Sequence, residues 1–249
     1  MAIRNQAAVL WQAWIGKQPP RTVREGVDLV GVDEAARIAG VRPRTIKDWL
    51  RREERAIPRT VGQAIQEMGG VDQAAQAAGV KPRTIREWLR GERRGRTPGQ
   101  RQAAHIGKLT DAAKKQHIER QKPTGNQAKL TNGVISSPKA RQQAMSSRRA
   151  ARMSNSGAHL SMSAKVTVDT GRRKDERWRN ISMNFRDDVM SGPTNSFLNG
   201  DDAGAIGKLG EAFGEHYAPG TGWQFGEIRG FQIGEFNPGA GGVFPDSGY

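Results

Sequence analysis

Residues 32–52, VDEAARIAGVRPRTIKDWLRR, recur at 71–91 as VDQAAQAAGVKPRTIREWLRG, identical at 14 of 21 positions with an offset of 39. A duplication of this length restricts the fold more than any bulk property, because each copy must be one supersecondary unit that the chain builds twice. Each copy follows a short apolar-periodic segment opened by Arg-Thr-Val, at 21–23 and 59–61, so three short helices are expected per unit. In the first copy Asp33 is expected to be the N-cap of the middle helix, with Ala35, Ala36 and Ala39 allowing close helix approach. Gly40 then stands where that helix must stop and reverse, a left-handed position cheapest for glycine. Pro43 suits the first turn of a new helix, on which Val41, Ile46, Trp49 and Leu50 share one face. Asp72, Ala74, Ala75, Ala78, Gly79, Val80, Pro82, Ile85, Trp88 and Leu89 repeat the pattern.

Two helices joined by a short glycine turn, the second rich in arginine, make the helix-turn-helix pattern, whose second helix enters the major groove of DNA. The outward residues are Arg42, Arg44, Thr45, Lys47, Asp48 and Arg51 in the first unit, and Lys81, Arg83, Thr84, Arg86, Glu87 and Arg90 in the second. Because they are nearly the same in both, the units are expected to read similar base steps. The competing reading is a helical bundle with charged outer faces, but Pro-Arg-Thr-Ile is kept on the outward side as well as in the core. Trp49 and Trp88 each complete an apolar stripe and are expected in the core rather than as stacking platforms for unpaired bases.

Charge supports a polyanionic partner. The chain carries a formal +15 with a pI near 10.8, which favours nucleic acid. The charge falls in three blocks: residues 1–92 hold 16 Lys+Arg against 11 Asp+Glu (+5), 93–153 hold 15 against 2 (+13), and 154–249 hold 9 against 12 (−3). An anionic membrane is the weaker rival, since no apolar run approaches the ~20 residues of a spanning helix. The expected location is cytoplasmic and nucleoid-associated. Cysteine is absent and the four histidines are scattered, so no cofactor or metal is expected.

The expected fold is multi-region: an all-α N-terminal part with tandem helix-turn-helix units, a basic and partly disordered linker, and a small α+β C-terminal domain. The expected bounds are 1–20 for an N-terminal amphipathic helix, 21–55 and 56–95 for the two units, 96–160 for the linker and 161–249 for the C-terminal domain. Ala7, Leu10, Trp11, Trp14 and Ile15 give the first helix an apolar face that would pack on the first unit or on another protomer. The linker is expected to hold one helix, from Gln102 to Arg120, and a disordered Ser-Arg-rich stretch at 140–156 that would track phosphates. Mean hydropathy of −0.71 agrees with partial disorder. Beyond it, 165–169 and 178–185 read as strands, 223–236 as one or two further strands, and 202–217 as a helix on Ile206, Leu209, Phe213 and Tyr217. Gly222, Gly226, Gly230 and Gly234 fit turns and bulges, not a phosphate loop. The pairs Asp187–Asp188 and Asp201–Asp202 are read as helix caps rather than nuclease ligands. His216 beside Glu215 lacks the spacing of a zinc helix, and no catalytic constellation stands out.

The segment VTVDTGRRKDERWRNISMNF, placed after helix-turn-helix and basic regions, resembles the terminal proteins of Streptomyces-type linear actinobacterial chromosomes and plasmids, which cap telomeres covalently. The resembling features are a Val-rich strand at 166–169, a Thr170-Gly171 loop, the acids Asp175 and Glu176, Arg177 and Arg179, and a second strand at 181–185. A later helix with Leu209, Glu211 and Tyr217 and a strand around 228–236 add to the likeness, while the second unit and the long 93–160 segment depart from the family.

The resemblance implies a protein primer, not an enzyme: a Ser or Thr hydroxyl receives a nucleotide from a polymerase and stays linked to the 5′ end. Its implied partners are double-stranded DNA, a single-stranded telomeric overhang, a DNA polymerase and a telomere-associated protein, with homo-oligomers allowed. The implied acceptor is Thr170, before Gly171, Arg172, Arg173 and Lys174, with Thr167 and Ser163 as alternatives. The competing functions are a non-covalent regulator or a replication or partition protein of a plasmid or phage, and a DNA-packaging protein.

Overall fold

The computed structural model describes residues 2–120, 123–155, 157–185, 187–216 and 219–236. Among these the chain is mostly helical, with a small three-stranded antiparallel sheet towards its C-terminal end. No helix among them is long and apolar enough to cross a membrane.

Helix α1 spans Ala2–Ile15. The first unit follows as α2 (Val23–Val30), α3 (Val32–Ala39) and α4 (Pro43–Ala56), the second as α5 (Val61–Met68), α6 (Val71–Ala78) and α7 (Pro82–Arg93). Thr22 and Thr60 open the units with capping boxes: each hydroxyl accepts from the amide three residues on, and the Glu25 or Gln63 side chain there accepts from the cap amide. Gly40 (φ 68°) and Gly79 (φ 67°) are left-handed and end α3 and α6, and Pro43 and Pro82 start α4 and α7. Asp33 and Asp72 are not N-caps as expected. Gly31 and Gly70 occupy those positions and the acids lie in the first turn, where they still complement the helix dipole. One glycine links α2 to α3, whereas Gly69 and Gly70 link α5 to α6, so the threonine caps are 38 apart and the turn glycines 39.

The duplication extends to a fourth helix. Helix α8 (Gln100–Arg120) packs on α5 and α6 through Leu109 and Ala113, and α9 (Gly125–Val134) packs on α2 and α3 through Leu130 and Val134. Both carry Lys-Leu-Thr, at 108–110 and 129–131, and both threonines bond back within their helix. Thr110 Oγ1 donates to the Ile106 and Gly107 carbonyls at 3.1 and 2.9 Å, and Thr131 Oγ1 to those of Gln127 and Ala128 at 3.3 Å each. The fourth helices are nested: α8 serves the second unit, and α9 returns to the first. Residues 61–120 thus form a module with its own core, inserted between two elements of another.

That other core runs from the first unit into the C-terminal region, joined by α10 (Pro138–Ala144) and α11 (Ser147–Asn155). The expected disorder at 140–156 is therefore corrected up to Asn155, with Ser156 outside the described residues. Ala140, Arg141, Met145 and Met153 are buried, and two of the arginines, Arg141 and Arg149, meet backbone carbonyl groups. Arg141 donates to the carbonyls of Ile135 (2.7 Å) and Phe197 (2.6 Å), pairs with the Asp202 carboxylate at 2.7 Å, and lies 4.2 Å from the centre of the Phe197 ring. Arg149 donates to the Trp14 and Ala13 carbonyls at 2.6 and 2.8 Å, satisfying the end of α1, and to Ile233 at 2.8 Å.

The α1 face is also re-placed. Its Leu10, Trp14 and Ile15 are buried within this chain against the C-terminal region, not on the first unit or a second protomer. Trp14 stacks on Phe197 (5.0 Å) and meets Phe231 edge-on (5.1 Å).

Strands β1 (Ala158–Asp169), β2 (Lys174–Phe185) and β3 (Gly222–Glu235) pair antiparallel in the order β2-β1-β3. The first two are longer than expected, and Ser163 lies inside β1 rather than before it. Alternate β1 residues from Ala158 to Val168 are buried and face helices α12 (Ser191–Leu198) and α13 (Asp202–His216) across the core. The register of β3 shifts at two places, between Phe225 and Ile228 and between Arg229 and Gln232, so Gly226 and Gly230 sit at bulges. A Cβ on Gly210 or Gly214 of α13 would strike the carbonyl oxygen of Trp223 or Thr221, which is how the helix presses onto the sheet. Asp201 caps α13 by accepting from the Gly204 amide at 2.8 Å. Asp187 and Asp188 lie in a short 3₁₀ turn, and Tyr217 lies outside the described residues.

Candidate nucleic-acid interface

The third helix of each unit is anchored by an acid at its far end. Glu53 of α4 accepts from the Arg24 amide at 2.9 Å, and Glu92 of α7 accepts from Val61 and Gly62 at 2.8 and 3.1 Å, so each acid satisfies free amides of its unit's first helix. Ile46 and Ile85 are fully buried beneath these helices. The fourth helices pack on the first and second helices of their units, away from the outer faces of α4 and α7.

Those faces carry the expected residues in matching places. Arg42, Arg44, Lys47 and Arg51 are exposed on or beside α4, as are Lys81, Arg83, Arg86 and Arg90 at α7, while Thr45 and Thr84 are half-buried. Both threonine amides close the first turn, onto Arg42 and Lys81 at 2.9 Å. The copies differ in one respect: Arg83 pairs with Glu87 at 3.1 Å, whereas in the first unit Asp48 pairs with Arg51 at 3.4 Å and leaves Arg44 without an ion pair among the described residues. Trp88 is buried and tilted against His105 (6.3 Å). Trp49 packs half-buried on the first core.

Net charge separates the modules further. Residues 58–120 hold 13 Lys+Arg against 6 Asp+Glu (+7), and residues 21–56 hold 9 against 7 (+2). Lys108, Lys114 and Lys115 of α8 are exposed, whereas Arg141 and Arg149 are engaged inside the fold.

Thr170 lies at the tip of the β1–β2 hairpin. It is exposed, yet its hydroxyl donates to the Arg173 carbonyl and accepts from the Arg173 amide, both at 3.2 Å. Gly171 (φ 75°) donates to the Asp169 carboxylate at 2.8 Å. That bond, with Lys174 at 3.4 Å, holds the Asp169 carboxyl below its ordinary pKa. Thr167 is half-buried in mid-strand between Glu176 and Gln224. Asp175 takes both Arg177 (3.0 Å) and Arg179 (3.1 Å).

Compared with known proteins, the chain matches no family model, no curated protein and no solved structure.

Proposed function

We propose that this protein binds duplex DNA through two helix-turn-helix modules, with α4 and α7 as the groove-entering helices. The observation that carries the reading is the equivalent placement of exposed cations on the outer face of the third helix of each module, which its fourth helix leaves open. The second module, at +7, supplies most of the phosphate attraction, with Lys108, Lys114 and Lys115 exposed on α8. Fluorescence anisotropy with a labelled duplex tests this. Affinity should fall steeply between about 50 and 200 mM salt, and replacing the three lysines by glutamine should flatten the slope by roughly one unit for each phosphate no longer neutralised. Absence of binding at low salt would overturn the reading.

One placement favours the finer reading of a telomere terminal protein: Thr170 on an exposed hairpin tip beside the exposed Arg172 and Arg173. A priming hydroxyl must enter a polymerase active site, and a projecting hairpin reaches further than a core strand. The two turn bonds to Arg173 would open in that step. With labelled nucleotide and host polymerase, the wild type and Thr167→Ala should be labelled and Thr170→Ala should not. A wild type that is never labelled would make this a non-covalent regulator, replication or partition protein.

A further inference from the structure

The β1–β2 register brings His159 together with two side chains 23 and 25 residues further along the sequence. His159 of β1 lies opposite Asn184, and Ser182 is two residues before Asn184 on β2, so all three share the sheet face turned away from the core. The Asn184 Oδ1 lies 3.1 Å from His159 Nδ1, and Ser182 Oγ lies 3.2 Å from His159 Nε2. An amide oxygen only accepts, so Nδ1 carries the proton. Nε2 of the neutral ring is then the acceptor for the serine hydroxyl. This is the nucleophile, base and orienting group of serine acyl transfer.

We propose that Ser182, His159 and Asn184 form a nucleophilic site on the open sheet face, where Ser182 takes the acyl group of a neutral carboxylic ester. The neighbours decide the substrate class. Across β1 from Ser182 lie Ser161 and then Gln232, and beside His159 on β3 is Gly234, with no side chain to block approach to the imidazole. None of these is charged, which suits a neutral electrophile rather than a nucleoside triphosphate. Ser182 Oγ attacks the carbonyl carbon as its proton passes to His159 Nε2. The carbon–oxygen bond to the alcohol then breaks, the alcohol leaves with that proton, and the acyl group remains on Ser182 until water removes it by the reverse roles. The site is separate from α4 and α7 and does not depend on DNA binding.

The probe is 4-nitrophenyl acetate with the full chain. The wild type should release a burst of 4-nitrophenol and carry the acetyl group on the peptide that holds Ser182. Ser182→Ala should abolish that adduct while its circular dichroism and DNA affinity stay unchanged. His159→Ala should slow acylation on the order of 100-fold. Asn184 is a positioning residue: Asn184→Ala should slow the step and Asn184→Asp should restore it, a rescue that a packing role would not give. Acetylation of lysines alone, or an adduct on Ser182 that forms as fast in His159→Ala, would overturn the proposal.

Discussion

Replacing Arg141 by alanine should destabilise the larger core by roughly 2–6 kcal/mol, since two carbonyls each lose their charged donor at about 1–3 kcal/mol apiece. The side chain is fully buried, and its loss strips the donor from the Ile135 and Phe197 carbonyls and the ion-pair partner from the Asp202 carboxylate, together with the stacking on Phe197. Lysine should not rescue it, because an ammonium group cannot meet acceptors spread around a planar fork. In a urea titration, the transition of the larger core should move to lower denaturant, whereas the module holding Trp88 should melt where it does in the wild type. An unchanged midpoint would mean that α10 is not held in the core, and that 140–156 behaves as the loose basic stretch its composition suggests.

The second large effect is on recognition. Arg44→Ala and Arg83→Ala should each cost about 1–3 kcal/mol on the cognate site and much less on random duplex, as expected of side chains that reach base edges. The two sit in modules with separate cores, so their losses should add, giving the double variant about 2–6 kcal/mol. Arg83 must first leave Glu87, an exposed pair with 86% of the arginine side chain accessible; such pairs are worth at most about 1 kcal/mol. Equal losses on cognate and random duplex would show that both arginines touch only phosphates.

What can be read from the amino acids follows local rules. Glycine at the left-handed turn, proline at the first helical position and an apolar stripe all act over four or five residues, so Gly40, Pro43 and Ile46 are legible with their counterparts. The capping boxes at Thr22 and Thr60 leave an equally local signal, Thr-x-x-Glu and Thr-x-x-Gln. Asp33 is not the cap because Gly31 adopts the positive φ that starts α3 two residues earlier. The fourth helices are hidden because their repeat shrinks to Lys-Leu-Thr and their partners are nested rather than sequential. In the basic block, composition marks arginine as a group for solvent or phosphate, whereas Arg141 and Arg149 act as donors to backbone carbonyls, a role set only by the tertiary fold. The Ser182, His159 and Asn184 cluster depends on strand register, which no single segment encodes.

The most direct test of DNA recognition is selection of the full chain against a library of random duplexes, followed by footprinting on the enriched sequence. Two related half-sites should emerge, each protected in the major groove, and the Arg44→Ala, Arg83→Ala double variant should fail to enrich them. A library that stays random after selection, or one that the double variant enriches to the same sequence, would contradict the assignment of α4 and α7 as the reading helices.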